Sequence, residues 1–189
     1  MSDTFGSALW CLDFMFRLAA NGCDGVNMET DINQLGFISH YSPIVHDAPG
    51  FCAARPEYYA MLAFAMAGKG EILKLALNKS DINLTAYPTR DDNGNLWLTI
   101  VNKDFSRDAA VEVAMPQGYS RARAYRLDAH SMESTNHVTF AGSEVVSWGR
   151  FMPGPAEKVN VENQTAHVPV FHASAVLLRI SAGGEPARN

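Results

Sequence analysis

The chain has 189 residues, 47% of them hydrophobic and 19% charged, enough for one ordinary domain or a small domain plus part of another. It is shorter than the roughly 250 residues of a complete α/β barrel enzyme. No apolar run reaches the ~20 residues that span a bilayer, and no signal peptide is visible at the start. The formal charge is −5, and the imbalance is local. Residues 1–70 hold three basic residues (Arg17, Arg55, Lys69) against seven acidic ones. Residues 71–189 hold twelve basic and thirteen acidic ones. Neither half is basic overall, which argues against non-specific binding of nucleic acid.

Residues 1–70 read as helix, strand, long loop, helix. Ser2 and Asp3 are suitable N-caps, after which Leu9, Leu12, Met15, Phe16 and Ala19 recur at helical spacing. Trp10 and Phe14 widen that apolar surface, so the helix is expected to be covered on more than one side. Asp13 and Arg17 form an i,i+4 pair, and Asn21-Gly22 ends the helix. Cys23–Met28 reads as a brief strand. Residues 30–55 lack periodicity and carry Gly36, Pro43, Pro49 and Gly50; loops of this length are usually functional or disordered. Pro56 opens a second helix, Glu57 to Ala67, whose buried stripe is Tyr59, Leu62, Ala63 and Met66.

Beyond Gly70 the period becomes two. Glu71–Asn78 and Asp81–Tyr87 are strand-like, and Asp91-Asp92-Asn93-Gly94 predicts a hairpin with a type I′ turn. Leu96–Val101, Val111–Met115, Ala122–Leu127, Val138–Phe140, Lys158–Val161, His167–Phe171 and Ser174–Ile180 continue at short spacings. That rhythm is the signature of an antiparallel β-sandwich. The tail 183–189 is expected to be flexible.

The chemistry-bearing residues are sparse. There is no G-x-G-x-x-G, Walker, H-E-x-x-H or G-x-S-x-G pattern. Cys11, Cys23 and Cys52 form no CxxC pair, so neither a zinc site nor any other metal or cofactor is indicated; buried free thiols, or one disulfide plus a spare thiol, account for them. Glu29 stands between the expected strand and the long loop, either as an exposed carboxylate or where barrel enzymes place catalytic groups. Tyr41, in His40-Tyr41-Ser42-Pro43, could donate to a sugar or an anion, or simply pack. Trp97 and Trp148 could stack on sugars, although Trp97 sits in a strand and reads as core.

Several segments together resemble family 79 glycoside hydrolases, the β-glucuronidase and heparanase family. Ser2-Asp3-Thr4-Phe5-Gly6-Ser7-Ala8-Leu9-Trp10 with Asp13 is similar to a helix of that family's barrel. Gly25-Val26-Asn27 resembles the last barrel strand, and Tyr41-Ser42-Pro43-Ile44 the loop after it. Tyr58–Phe64 resembles the final barrel helix, and the β-rich remainder the C-terminal sandwich. The resemblance implies an α+β chain: the last elements of a (β/α)8 barrel over residues 1–70, then an antiparallel β-sandwich over 71–182.

Family members are retaining enzymes that use two glutamates. The resemblance places both upstream of the Ser2-Asp3 helix, so neither is expected in this chain, and Glu29 inherits no catalytic role. Tyr41 is the implied hydrogen-bond donor to a uronic acid carboxylate, with His40 and Asn27 as neighbours in the same pocket. The implied ligand is a uronic-acid-containing glycan, with no membrane or nucleic-acid partner. The implied parent acts on β-linked uronosides and is compatible with a secreted or periplasmic location, while this chain alone is expected to be inactive. A second chain supplying the rest of the barrel, or self-association, would cover the helices' apolar faces. The alternative from another class is a non-catalytic β-sandwich that binds a glycan or a protein.

Overall fold

A computed structural model describes residues 3–29, 40, 42–47, 51–146 and 149–183. Helix α1 (Phe5–Ala20) and helix α2 (Pro56–Ala67) pack side by side. Between them lies a hairpin of β1 (Ile44–Asp47) and β2 (Phe51–Ala54). The remaining strands are β3 (Glu71–Ile72), β4 (Leu84–Arg90), β5 (Leu96–Asn102), β6 (Ala109–Ala114), β7 (Tyr119–Asp128) and β8 (Thr139–Phe140). They are followed by β9 (Glu157–Lys158), β10 (Asn160–Glu162), β11 (Thr165–Val170) and β12 (Ser174–Ala182).

Three layers result. A seven-stranded antiparallel sheet runs β3-β4-β5-β12-β7-β8, with β9 also on β7; a three-stranded sheet runs β10-β11-β6. The helices cover the face of the large sheet that the small sheet does not. Successive strand residues point to opposite faces, and this sorts the core. Trp97, Val101, Leu127, Ala175 and Leu177 meet the helices. Leu98, Ile100, Ala122, Ala124, Val176, Leu178 and Ile180 meet Val168, Val170 and Ala166 of the small sheet. A strand buried on both faces reads as a continuous apolar run, which is the pattern of Leu96–Val101.

The helix–sheet seam is aromatic. Phe16 is fully buried, stacks on Tyr87 at 5.3 Å and meets Phe64 edge-on at 4.8 Å. Truncating a buried phenylalanine typically costs roughly 3–5 kcal/mol. Among the described residues, no helix is long and apolar enough to cross a membrane.

Several expectations are corrected. Residues 23–29 are irregular rather than a strand, because no described strand lies beside them to complete a ladder. The 30–55 stretch contains the β1–β2 hairpin, whose four-residue strands are too short to show a period. The strand expected over 71–78 stops at Ile72. Leu73 N–H still donates to the Pro88 carbonyl at 2.9 Å, but proline has no N–H to return the bond. The Asn93-Gly94 turn is not type I′, since Gly94 has φ +77° while Asn93 is not among the positive-φ residues. Asp91 organises it instead, accepting Asn93 N–H at 3.0 Å and Asn95 N–H at 2.9 Å. Positive φ at both central residues occurs at Asn163 and Gln164, in the two-residue connection between β10 and β11.

The cap of α1 also differs. Its N-cap is Thr4, with no side-chain cap bond. The first helical N–H groups are taken by carbonyls of a sandwich loop: Phe5 N–H donates to Ser134 O and Gly6 N–H to Met132 O, each at 2.8 Å. Trp10 is 54% exposed and stacks on Phe14 at 4.9 Å, so this side of α1 is open rather than covered.

Candidate functional site

The ends of α1 and α2 that begin the helices lie together, and the segment around residue 40 joins them. Asp3, just ahead of α1, contacts His40: Nδ1 to Oδ2 is 3.1 Å. Burial alone would raise the Asp3 carboxyl, but the His40 contact and the positive charge of Arg55 hold it below its ordinary value. Arg55, the N-cap of α2, donates from Nη1 to the Ser42 carbonyl at 3.5 Å. Its backbone N–H donates to the Pro43 carbonyl at 2.9 Å. A cation at a helix N-terminus is opposed by the helix dipole; here the Ser42 carbonyl compensates. Ser42 is itself buried and donates from Oγ to Ile44 O at 2.6 Å. Glu57, in the first turn of α2, is raised by burial against the pull of Arg55.

Of the residues singled out in the sequence, Tyr41 and Trp148 lie outside the described residues. His40 is exposed and anchored to Asp3. Asn27 is exposed on the irregular 23–29 segment, and no hydrogen bond among the described residues joins it to His40. Glu29 is exposed. Trp97 is 8% exposed and donates from Nε1 to Asp91 Oδ2 at 3.0 Å, which makes it core. Cys11 is buried and its thiol is pushed up to about 12, chiefly by desolvation. Cys23 is exposed rather than buried. No group of three His, Cys, Asp or Glu among the described residues could hold a metal ion.

Sequence reasoning passed over Arg55 and valued Asp3 only as a cap. The one signal for Arg55 was its place directly before a helix-opening proline. Asp13 was read as the partner of Arg17, but that pair is long, at 4.0 Å. Its stronger partners come from the sheet: Thr85 Oγ1 at 2.5 Å, Tyr87 Oη at 2.7 Å and Lys103 Nζ at 3.0 Å. That network ties α1 to β4 and the end of β5. Tyr59 of α2 makes a second tie, accepting Val145 N–H at 2.8 Å.

No protein-family model and no curated protein matches the chain. Solved structures do. A 4-O-α-L-rhamnosyl-β-D-glucuronidase from Fusarium oxysporum 12S superposes with a TM-score of 0.71 at 18% identity, over 94% of this chain and 39% of that one. The GH51 α-L-arabinofuranosidase of Thermotoga petrophila RKU-1 gives 0.71 at 13% identity, over 96% and 39%. The catalytic domain of GH30 xylanase C from Talaromyces cellulolyticus gives 0.62 at 10%, over 93% and 35%. The chain thus spans less than two-fifths of the length of these enzymes. At such identities the likeness establishes the fold alone: two helices and antiparallel sheets in the arrangement found in these glycoside hydrolases.

Proposed function

We propose that the chain is the C-terminal part of a retaining β-glucuronidase-like glycoside hydrolase acting on β-linked uronosides. Residues 1–70 supply the last elements of a (β/α)8 barrel and 71–182 the β-sandwich. Both catalytic glutamates lie on barrel strands that precede these elements, outside the 189 residues. Tyr41 donates its phenol to the uronate carboxylate, with His40 and Asn27 beside it.

The observation that carries this reading is the pair of contacts on either side of Tyr41. His40 meets Asp3 ahead of α1, and the Ser42 carbonyl meets Arg55 at the start of α2. In a barrel, helix N-termini adjoin the carboxyl ends of the strands, where substrates bind. His40 and Ser42 are therefore held on the side where a barrel would hold its ligand. The exposed Trp10, stacked on Phe14, supports the same reading, because a barrel neighbour would cover it. One of the superposing enzymes is a glucuronidase by name.

The test is an assay of the 189-residue chain with an aryl β-glucuronide. No turnover is expected. Turnover abolished by Glu29→Gln would overturn the assignment and make Glu29 a catalytic residue.

A further inference from the structure

A row of side chains crosses four adjacent strands on the helix-side face of the large sheet, beyond the C-terminal end of α2. Trp97 of β5 pairs with Arg179 of β12, Arg179 with Arg123 of β7, and Arg123 with Lys158 of β9. Residues directly opposite in a ladder project to the same face, with strands roughly 4.8 Å apart. Three cations thus stand abreast. Arg121, two residues before Arg123, adds a fourth on the same face. Like charges directly opposite destabilise a sheet, and this chain is acidic, with a net charge of −5.

These four cations line one open groove of about 1360 Å³, and no Asp or Glu is among its lining residues. Two neighbouring acids are engaged elsewhere. Glu157 pairs with Arg126 at 2.9 Å, and Asp91 accepts from Asn95 and Trp97. Arg123 and Lys158 form no ion pair among the described residues. The volume exceeds the roughly 300–1,000 Å³ of ordinary small-molecule clefts, which suits an extended ligand. Asn93, Ser120, Asn160 and Ser181 add amide and hydroxyl groups to the wall, and Pro153 and Pro155 add apolar surface.

We infer that this groove binds a carboxylated oligosaccharide, its anionic groups on the cation row and its hydroxyls on the amide and hydroxyl wall. The charge row selects repeated anions, and the mixed polar and apolar wall suits pyranose rings. Nucleic acid fits less well. Trp97 is buried and Tyr125 half-buried, so neither offers a platform for splayed bases. This site stands independently of uronoside hydrolysis, and its test needs no turnover.

The experiment is isothermal titration of the 189-residue chain at low ionic strength. The probes are tetragalacturonate, neutral xylotetraose and a short oligothymidylate of matched charge. Binding of tetragalacturonate is expected, weakening as salt rises, with no heat from xylotetraose and weaker binding of the oligothymidylate. The double variant Arg123→Gln/Lys158→Gln should lose at least tenfold in affinity. Its melting temperature should be unchanged or higher, because like-charge repulsion has been relieved. Arg123→Lys should retain most of the binding. Failure of the wild-type chain to bind tetragalacturonate overturns the proposal. Equal binding of xylotetraose overturns the role of charge, and equal or tighter binding of oligothymidylate overturns the carbohydrate class.

Discussion

Asp13 fastens α1 to the large sheet through three side chains. Replacing it with alanine removes the acceptor of Thr85 and Tyr87 and the counter-charge of Lys103. The Asp13 and Lys103 side chains are only 12% and 19% exposed, so water cannot fully replace the lost partner. Breaking such a pair costs about 3–5 kcal/mol, and partial solvent access puts the expectation near the lower end, about 3 kcal/mol. For a chain of this size each kcal/mol lowers Tm by roughly 2–4 °C, which gives a drop of about 6–12 °C. Burial raises the Asp13 carboxyl, but hydrogen bonds from Thr85, Tyr87 and Lys103 and the charge of Lys103 outweigh it, so its pKa lies below the ordinary 3.8. The unfolded chain therefore takes up this proton first as pH falls. The stabilisation is complete above the ordinary carboxylate range and fades as pH falls through the lower, folded value. The assay is thermal unfolding of wild type, Asp13→Ala, Lys103→Met and the double variant. A coupling energy of about 1–3 kcal/mol is expected. A coupling near zero, or an Asp13→Ala drop below 2 °C, would refute the reasoning.

Three further outcomes follow from the geometry. Gly70→Ala is expected to destabilise by at least about 1–3 kcal/mol, from positive φ alone. Gly70 has φ +83°, and a Cβ there would clash with the Arg90 carbonyl oxygen; an unchanged urea midpoint would contradict this. Tyr59→Phe takes the acceptor from Val145 N–H and should cost about 1 kcal/mol, visible as a lower urea midpoint without a change in slope. In the native chain near neutral pH, iodoacetamide should label Cys23 well before Cys11, whose thiol is buried and raised to about 12. Equal labelling rates by peptide mass spectrometry would disprove the placement of Cys11.

Much of the sheet was legible because its strands are buried on one or both faces. Leu96–Val101 and Ser174–Ile180 announced themselves as apolar runs, and Ala109–Ala114 alternates half-buried with exposed positions. Both helices were legible for the same reason: a periodic apolar stripe meets a core. What escaped was structure fixed by a distant partner. Pro88 shortens β3 from across the ladder, and carbonyls of Met132 and Ser134 take the place of a capping side chain on α1. The bonds of Asp13 to residues seventy and more positions away outrank its local pair with Arg17. Sequence spacing gives local pairs a false prominence because it carries no long-range register. The candidate site was half legible. The Tyr41-Ser42-Pro43 segment drew attention, while Arg55 and Asp3, which tether its flanks, had no pattern of their own. The cation row is a clear case of the same limit: Arg123, Lys158 and Arg179 are far apart in the chain and adjacent only through strand pairing.

The central claim is that this chain completes a barrel whose catalytic glutamates are encoded before it. The coding sequence upstream of Met1 tests it most directly. The account predicts an uninterrupted frame carrying a glutamate and then a short glycine-rich stretch that leads into Ser2-Asp3. An in-frame stop codon between any such glutamate and Met1 would contradict it.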